Sequence, residues 1–407
     1  MRIHLCVAGL ACLVAGHATA TDLPRVFMTS VSGNGDLSTW PDAHGLTGLA
    51  AADEICRTRA EAATLADADQ YIALLSDSHD DAYCRWHGDT GKRAANCNQA
   101  VFPTGAGPWY RMDDLAQMDV AQNAVGDGTQ GGYVPRHILY DELGTALDPT
   151  NESADLAFTA TTTDGTGDAA NTCGDWTSAS GDVGLGNPFY GFGNIAGGSW
   201  TCDQSLRLIC MEKGQHGPPL PRAHPPSARV VFTTSSAGSG DLSSWADAGG
   251  ATSLDAADNI CRAHAARAGL ALPDSFKAWL STSSVDAIDR IVNDGVWYRV
   301  DGVRFAGSIA GLVNGLLEAP PQLDENGRVA FATDSVWTGT TPDGRSSGST
   351  CTDWNDGTDT SFGGVGQDLA VDSLWTKVAF FNPGCSDPFP HLYCLADNDS
   401  LFRGDFD

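Results

Sequence analysis

The chain has 407 residues, with 23 Lys and Arg against 51 Asp and Glu, for a formal net charge of −28 at pH 7. That balance argues against nucleic acid or an anionic membrane as a partner, because phosphate recognition needs clustered Lys and Arg. With 42% hydrophobic and 18% charged residues the chain should pack as a globular protein, and its 47 Gly and 11 Trp predict many turns around large aromatic anchors.

At the N-terminus, Met1-Arg2 precedes an apolar run from Ile3 to Gly16 and then Ala18-Thr19-Ala20. A basic start, a short hydrophobic stretch and a small-x-small site predict a secretory signal peptide over 1–20, cleaved after Ala20. The run is shorter than the roughly 20 apolar residues that span a bilayer. No later segment approaches that length, so no transmembrane segment is expected. The mature chain should be secreted, periplasmic or on the extracellular surface. Ten cysteines remain after Ala20: Cys56, Cys84, Cys97, Cys173, Cys202, Cys210, Cys261, Cys351, Cys385 and Cys394. An even count in an exported chain reads as a disulfide framework. Zinc is the competing use of cysteine, and it is disfavoured because no Cys-x-x-Cys occurs.

The chain then repeats itself. Residues 26–57 align without gaps on 231–262, with 21 identities in 32 positions. An early helix is expected over 50–63 and again over 255–268, each carrying one Cys. An aliphatic strand follows, ending at Leu75-Ser76 and at Leu280-Ser281. Trp109-Tyr110-Arg111 matches Trp297-Tyr298-Arg299 at a shorter offset, so the first copy holds 17 extra residues, among them Cys84 and Cys97. That pair should close on itself. Farther on, Cys173-Gly-Asp-Trp176 matches Cys351-Thr-Asp-Trp354, and Cys202 and Cys210 match Cys385 and Cys394. Four shared cysteines per copy still allow three pairings. Domains are therefore expected over 21–213 and 229–395. Between them, 214–228 carries five prolines and predicts a semi-rigid spacer that holds the two apart. A polar tail covers 396–407.

The residues in this order resemble the endostatin-type branch of the C-type lectin-like fold, and bacterial surface domains that share it. The resemblance is carried by Trp337-Thr-Gly-Thr-Thr-Pro-Asp-Gly344, the Cys351-x-x-Trp354 block and the closing His-Leu-Tyr-Cys394, and more weakly by their first-copy counterparts. It implies an α+β class: two tandem, loop-rich, disulfide-stapled lectin-like domains. It also implies nested bonds, Cys56–Cys210 with Cys173–Cys202, and Cys261–Cys394 with Cys351–Cys385.

Candidate binding residues are Asp353, Asn355, Asp356 and Asp359, in a Gly-containing loop after Cys351. Calcium takes 6–8 oxygen ligands, and Asp353, Asp356 and Asp359 are the residues that could supply some of them. Solvated acidic loops are the commoner reading in so acidic a chain. Trp354-Asn355-Asp356 spells a sugar-binding lectin triplet, but it follows the second shared Cys instead of preceding the third. No cofactor motif, Gly-x-Ser-x-Gly or His-Glu-x-x-His is present, and no position carries His in both copies. The expectation is a non-enzymatic protein that binds a glycan or extracellular protein through its loops. The alternatives are a structural envelope protein and a polysaccharide-acting hydrolase.

Overall fold

The computed structural model describes residues 23–125, 135–148, 155–189, 198–220, 229–329, 335–379 and 381–398. The expected signal peptide, residues 221–228 of the spacer and 399–407 of the tail lie outside the described residues.

The class is α+β, and the two repeats share one plan. In the first, the strands are β1 (Val26–Met28), β2 (Tyr71–Ala73), β3 (Trp109–Tyr110), β4 (Ala116–Met118), β5 (Ala157–Phe158), β6 (Asp182–Gly186), β7 (Ser199–Thr201) and β8 (Arg207–Glu212). In the second they are β9 (Arg229–Thr233), β10 (Phe276–Ala278), β11 (Trp297–Arg299), β12 (Arg304–Ala306), β13 (Ser335–Trp337), β14 (Val365–Gln367) and β15 (His391–Ala396). The sheet orders are β1-β8-β5-β6-β7 and β12-β11-β9-β15-β13-β14, with β2 also paired to β8 and β10 to β15. The last strand of each repeat thus sits between the first strand, antiparallel, and β5 or β13, parallel. Its sequence accounts for that position. Leu208-Ile-Cys-Met211 and Leu392-Tyr-Cys-Leu395 are unbroken apolar runs that only a strand covered on both faces can bury.

One long helix per repeat packs on this strand, Gly48–Ala62 in the first and Ser253–Arg267 in the second. Both begin two residues before the expected positions and end one residue before them. Ala51, Ala52, Ile55, Cys56 and Ala60 form a buried stripe at helical spacing, as do Ala256, Ala257, Ile260, Cys261 and Ala265. An acid on the same helix pins it to the adjacent strand. Asp53 and Asp258 each accept from a strand amide, Ala73 or Ala278, at 3.0 Å. Each also pairs with an arginine, the buried Arg85 or the half-buried Arg290.

All ten described cysteines are bonded: Cys56–Cys210, Cys84–Cys97, Cys173–Cys202, Cys261–Cys394 and Cys351–Cys385. These are the nested pairings that the resemblance implies, together with the self-closed insertion.

The repeats are not held apart. A single apolar cluster runs from Val26, Trp109 and Phe189 into Trp297, Trp375 and Tyr393. Val371 N–H donates to Phe189 O at 3.2 Å, and His137 Nε2 lies 3.1 Å from Leu369 O. The described start of the spacer is also anchored, since His216 N–H donates to Gly107 O and Leu220 N–H to Asp119 Oδ1. The expected separation fails because apolar residues of both repeats share one buried cluster. His137 is completely buried at this junction. Burial, with Arg111 and Arg299 nearby, drives its pKa down to about 3 against the Leu369 carbonyl, which favours protonation. It is therefore neutral in the folded chain.

Two outcomes follow from this architecture. In the chain-entropy model, replacing both Cys261 and Cys394 with Ala should cost about 5 kcal/mol, whereas replacing Cys84 and Cys97 should cost about 3 kcal/mol. The bonds span 133 and 13 residues, and denaturant titration of the two variants should rank them in that order. Because the folded pKa of His137 lies below its unfolded value, the stability it provides is complete above about pH 6.5. It is lost as pH falls toward 3. His137→Gln should flatten that acid slope by up to one proton, about 1.4 kcal/mol per pH unit, in thermal melts taken across this range.

Candidate functional site in the second repeat

The site begins where β9 ends. The chain leaves Thr233 as Thr-Ser-Ser-Ala-Gly238, and Asp241 then caps a short turn of helix, Leu242–Ser244, through Ser243 N–H. Trp245 follows, its indole N–H donating to Ser239 O at 2.9 Å. Glycine is required at 238, because a Cβ there would lie 2.6 Å from the Trp245 ring. Folded this way, the segment encloses a hollow of about 290 Å³ lined by Ser236, Ala237, Gly238, Ser244, Trp245, Ala246, Asp247 and Ile260.

Beneath its wall lies His264, on the buried face of the long helix and only 2% exposed. Its Nε2 is 2.9 Å from Ser236 Oγ and 3.5 Å from Asp247 Oδ2. Its Nδ1 is 2.9 Å from Glu325 Oε1, in an ion-pair contact that lies off the line of the ring N–H. Glu325 is buried and also accepts from Ser235 N–H at 3.0 Å and Ser235 Oγ at 2.5 Å. Burial alone would raise its pKa. The close His264 ring and the bonds from Ser235 outweigh that and hold it at about 2. Asp247 is gripped by both Arg267 nitrogens at 2.8 Å, and this bond is the main cause of its lowered pKa. His391, also buried, has its pKa lowered chiefly by burial, and its Nδ1 lies 2.6 Å from Thr234 O.

The first repeat builds the same frame with different side chains. Glu142 accepts from Ser30 N–H and Ser30 Oγ, as Glu325 does from Ser235. Arg59 occupies the place of His264 and meets Asp42 at 2.9 Å and Glu142 at 3.8 Å. Val31 stands where the second repeat has Ser236. The buried Glu lies outside the best-aligned blocks of the two repeats and so escapes a reading confined to them. Its signal was Asp141-Glu-x-Gly144 and Asp324-Glu-x-Gly327, a second duplicated block of four.

The acidic loop named from sequence packs on the segment that forms this hollow, though none of its residues is among the lining. Asp241 forms a bridge with Asn355, and a Cβ on Gly357 would lie 3.1 Å from Ser239 Oγ. Its polar groups are spent within the fold. Asp353 accepts from Ser283 N–H and Oγ at 2.6 and 2.7 Å, and Asp175 does the same with Ser78 in the first repeat. Burial would raise the Asp353 pKa, but those bonds and one from Thr350 lower it. Asp356 accepts from Ser361, Thr358 and Thr360, which lower its pKa, and Asp359 accepts from Ser386. Asn355 donates to Thr352 O and Asp353 O. The four residues share one loop, but their carboxylates do not converge. Among the described residues no three His, Cys, Asp or Glu side chains are grouped so as to hold a metal ion. Among the same residues no helix is long and apolar enough to cross a membrane.

No family model matches the chain, and no curated protein matches it in sequence.

Glu325→Gln should lower stability by about 2 kcal/mol at neutral pH, because it removes a buried charged acceptor. The folded pKa of Glu325 is depressed, so its stabilisation is present above the unfolded value of about 4.5 and disappears as pH falls toward 2. Paired denaturant curves should therefore show the wild-type and variant difference shrinking across that acid window.

Proposed function

We propose that the chain is an exported or surface-located binding protein, built from two lectin-like repeats, whose second repeat recognises a neutral glycan in the hollow beside Trp245. The observation that carries this reading is the divergence of the hollow on a shared frame. The buried Glu, its Ser partner, the Asp and the Trp are common to both repeats. The lining is not: Ser236, Ala237, Ser244 and Ala246 replace Val31, Ser32, Thr39 and Pro41. Short hydroxyl and small apolar side chains next to an indole suit a hydroxyl-bearing ring, which needs hydrogen bonds at its edges and an apolar floor. A net charge of −28 disfavours anionic ligands. The antiparallel first and last strands, and the disulfide from the long helix to the last strand, support the lectin-like reading of each repeat. Five disulfides suit an oxidising compartment outside the cytosol. In this reading the loop of Asp353, Asn355, Asp356 and Asp359 supports the segment that forms the hollow. With its carboxylates held by loop hydroxyls, calcium has no required role.

One observation favours protein as the alternative ligand. Phe362, Phe381 and Phe389 flank the Cys351–Cys385 bond and are 51–58% exposed.

A glycan array probed with the full disulfide-bonded chain should give a discrete neutral-sugar signal that survives EDTA. Ala246→Trp introduces a large ring at an exposed lining position and should weaken that signal at least tenfold, with the melting temperature within about 2 °C. An array with no signal from the wild-type chain would remove the glycan reading in favour of the protein one.

A further inference from the structure

Beyond the binding reading, three features stand out: the neutral His137 at the junction, the exposed phenylalanines, and the Ser236–His264–Glu325 alignment. The last carries an inference furthest. We propose that the hollow is also a hydrolytic site, in which Ser236 and His264 cleave a short-chain acyl ester of a hydroxyl-bearing ligand. The alcohol half of that substrate rests on the glycan reading above. The chemistry rests on geometry of its own.

Serine is a weak nucleophile until a base takes its proton. Ser236 Oγ lines the hollow, and its neighbour on the inner side is His264 Nε2 at 2.9 Å. The other ring nitrogen lies 2.9 Å from Glu325 in an ion-pair contact that is not a hydrogen bond, so the imidazole has an acid beside it and a hydroxyl in front. The remaining charged groups around the ring are accounted for. Asp247 is neutralised by its two bonds to Arg267, and His391 is turned toward Thr234 O. The main-chain N–H groups of Ser236 and Ala237 have no partner among the described residues, and both residues line the hollow. They are available to the oxyanion that forms when a carbonyl is attacked.

The chemistry balances with water as the only co-reactant. Ser236 Oγ bonds to the ester carbonyl carbon as its proton passes to His264 Nε2. The carbon–oxygen bond to the alcohol then breaks, and the leaving oxygen takes the proton from His264. Water adds to the acyl-serine, giving a proton to His264. The bond to Ser236 breaks, its oxygen recovers that proton, and a carboxylic acid leaves. Glu325 touches no reacting atom; it is a positioning residue that orients the ring and balances its transient charge.

The first repeat separates this from a purely structural role. Neutralising the buried Glu needs only a cation, and Arg59 supplies one there. Arginine cannot accept a proton at neutral pH, and Val31 has no hydroxyl to give. The second repeat departs from the first at both of these positions, and together the two changes place a base against a nucleophile. The confined volume of about 290 Å³ restricts the acyl group to a short chain.

The test uses the full disulfide-bonded chain with two probes, a fluorophosphonate and p-nitrophenyl acetate. Peptide mapping should find the phosphonyl adduct on Ser236, and acetate turnover should fall at least 100-fold in both Ser236→Val and His264→Arg. These variants carry the residues that the first repeat already holds on the same frame. Glu325→Gln should lower kcat with KM little changed. A wild-type chain that is unlabelled at Ser236, with turnover no greater than that of Ser236→Val, overturns the proposal. Labelling is read on the unaltered chain, so poor folding of a variant leaves that result intact. If glycan binding persists in that case, the binding reading stands without the chemistry. Labelling and turnover with no glycan bound would keep the chemistry and remove the glycan.

Discussion

The structure depends on one covalent constraint, made twice: the bond from the long helix to the last strand, Cys56–Cys210 and Cys261–Cys394. Each repeat offers one long helix and strands of only two to six residues, which is little regular structure to organise so many irregular loops. The disulfide joins the buried face of the helix to the central last strand and closes most of the repeat. The Asp53–Arg85 and Asp258–Arg290 pairs add direction, because each acid also receives a strand amide. Helix, first strand and last strand become one rigid block. The loops that leave this block can then vary without endangering it.

What varies is informative because the frame does not. Both repeats bury a glutamate under the end of their first strand, and an unpaired buried carboxylate would be costly. A serine and a basic side chain on the helix stand against that carboxylate in each case. The first repeat uses Arg59, long enough to reach both Asp42 and Glu142. The second uses the shorter His264, and Arg267, one helical turn on, takes over Asp247. That exchange frees the face of the imidazole nearest the hollow for Ser236.

Much of the frame was legible in the sequence, because it is written in residues with narrow roles. Cysteines, tryptophans in fixed contexts and the alternation of helix and strand patterns survive duplication and can be matched by eye. The helices fell within two residues of their expected ends. The candidate loop was legible as a loop, but its acids proved to be occupied. Asp353 serves the same Ser-binding duty as Asp175, which a comparison of the two Cys-x-Asp-Trp blocks could have suggested. The hollow was not legible, since Ser236, His264 and Glu325 lie far apart in the chain and each has an ordinary sequence context. The docking of the repeats was hidden for another reason. Five prolines describe the stiffness of a spacer, and they say nothing about the aromatic surface on either side of it.

The hollow itself follows from side-chain volume at a few positions. At the places of Ser236, Ser244 and Ala246 the first repeat carries Val31, Thr39 and Pro41, each larger or stiffer. Trp40 and Trp245 hold the same pose on matching glycines, since a Cβ at Gly33 would strike Trp40 as one at Gly238 would strike Trp245. The indole floor is therefore present in both repeats, and in the second the walls above it are built from smaller side chains. Trimming alone would expose apolar surface to water at a cost. Serine at 236 offsets this by placing a hydroxyl where the first repeat has Val31, and that hydroxyl lies against His264. The difference at position 236 thus makes the wall polar and supplies its most reactive oxygen.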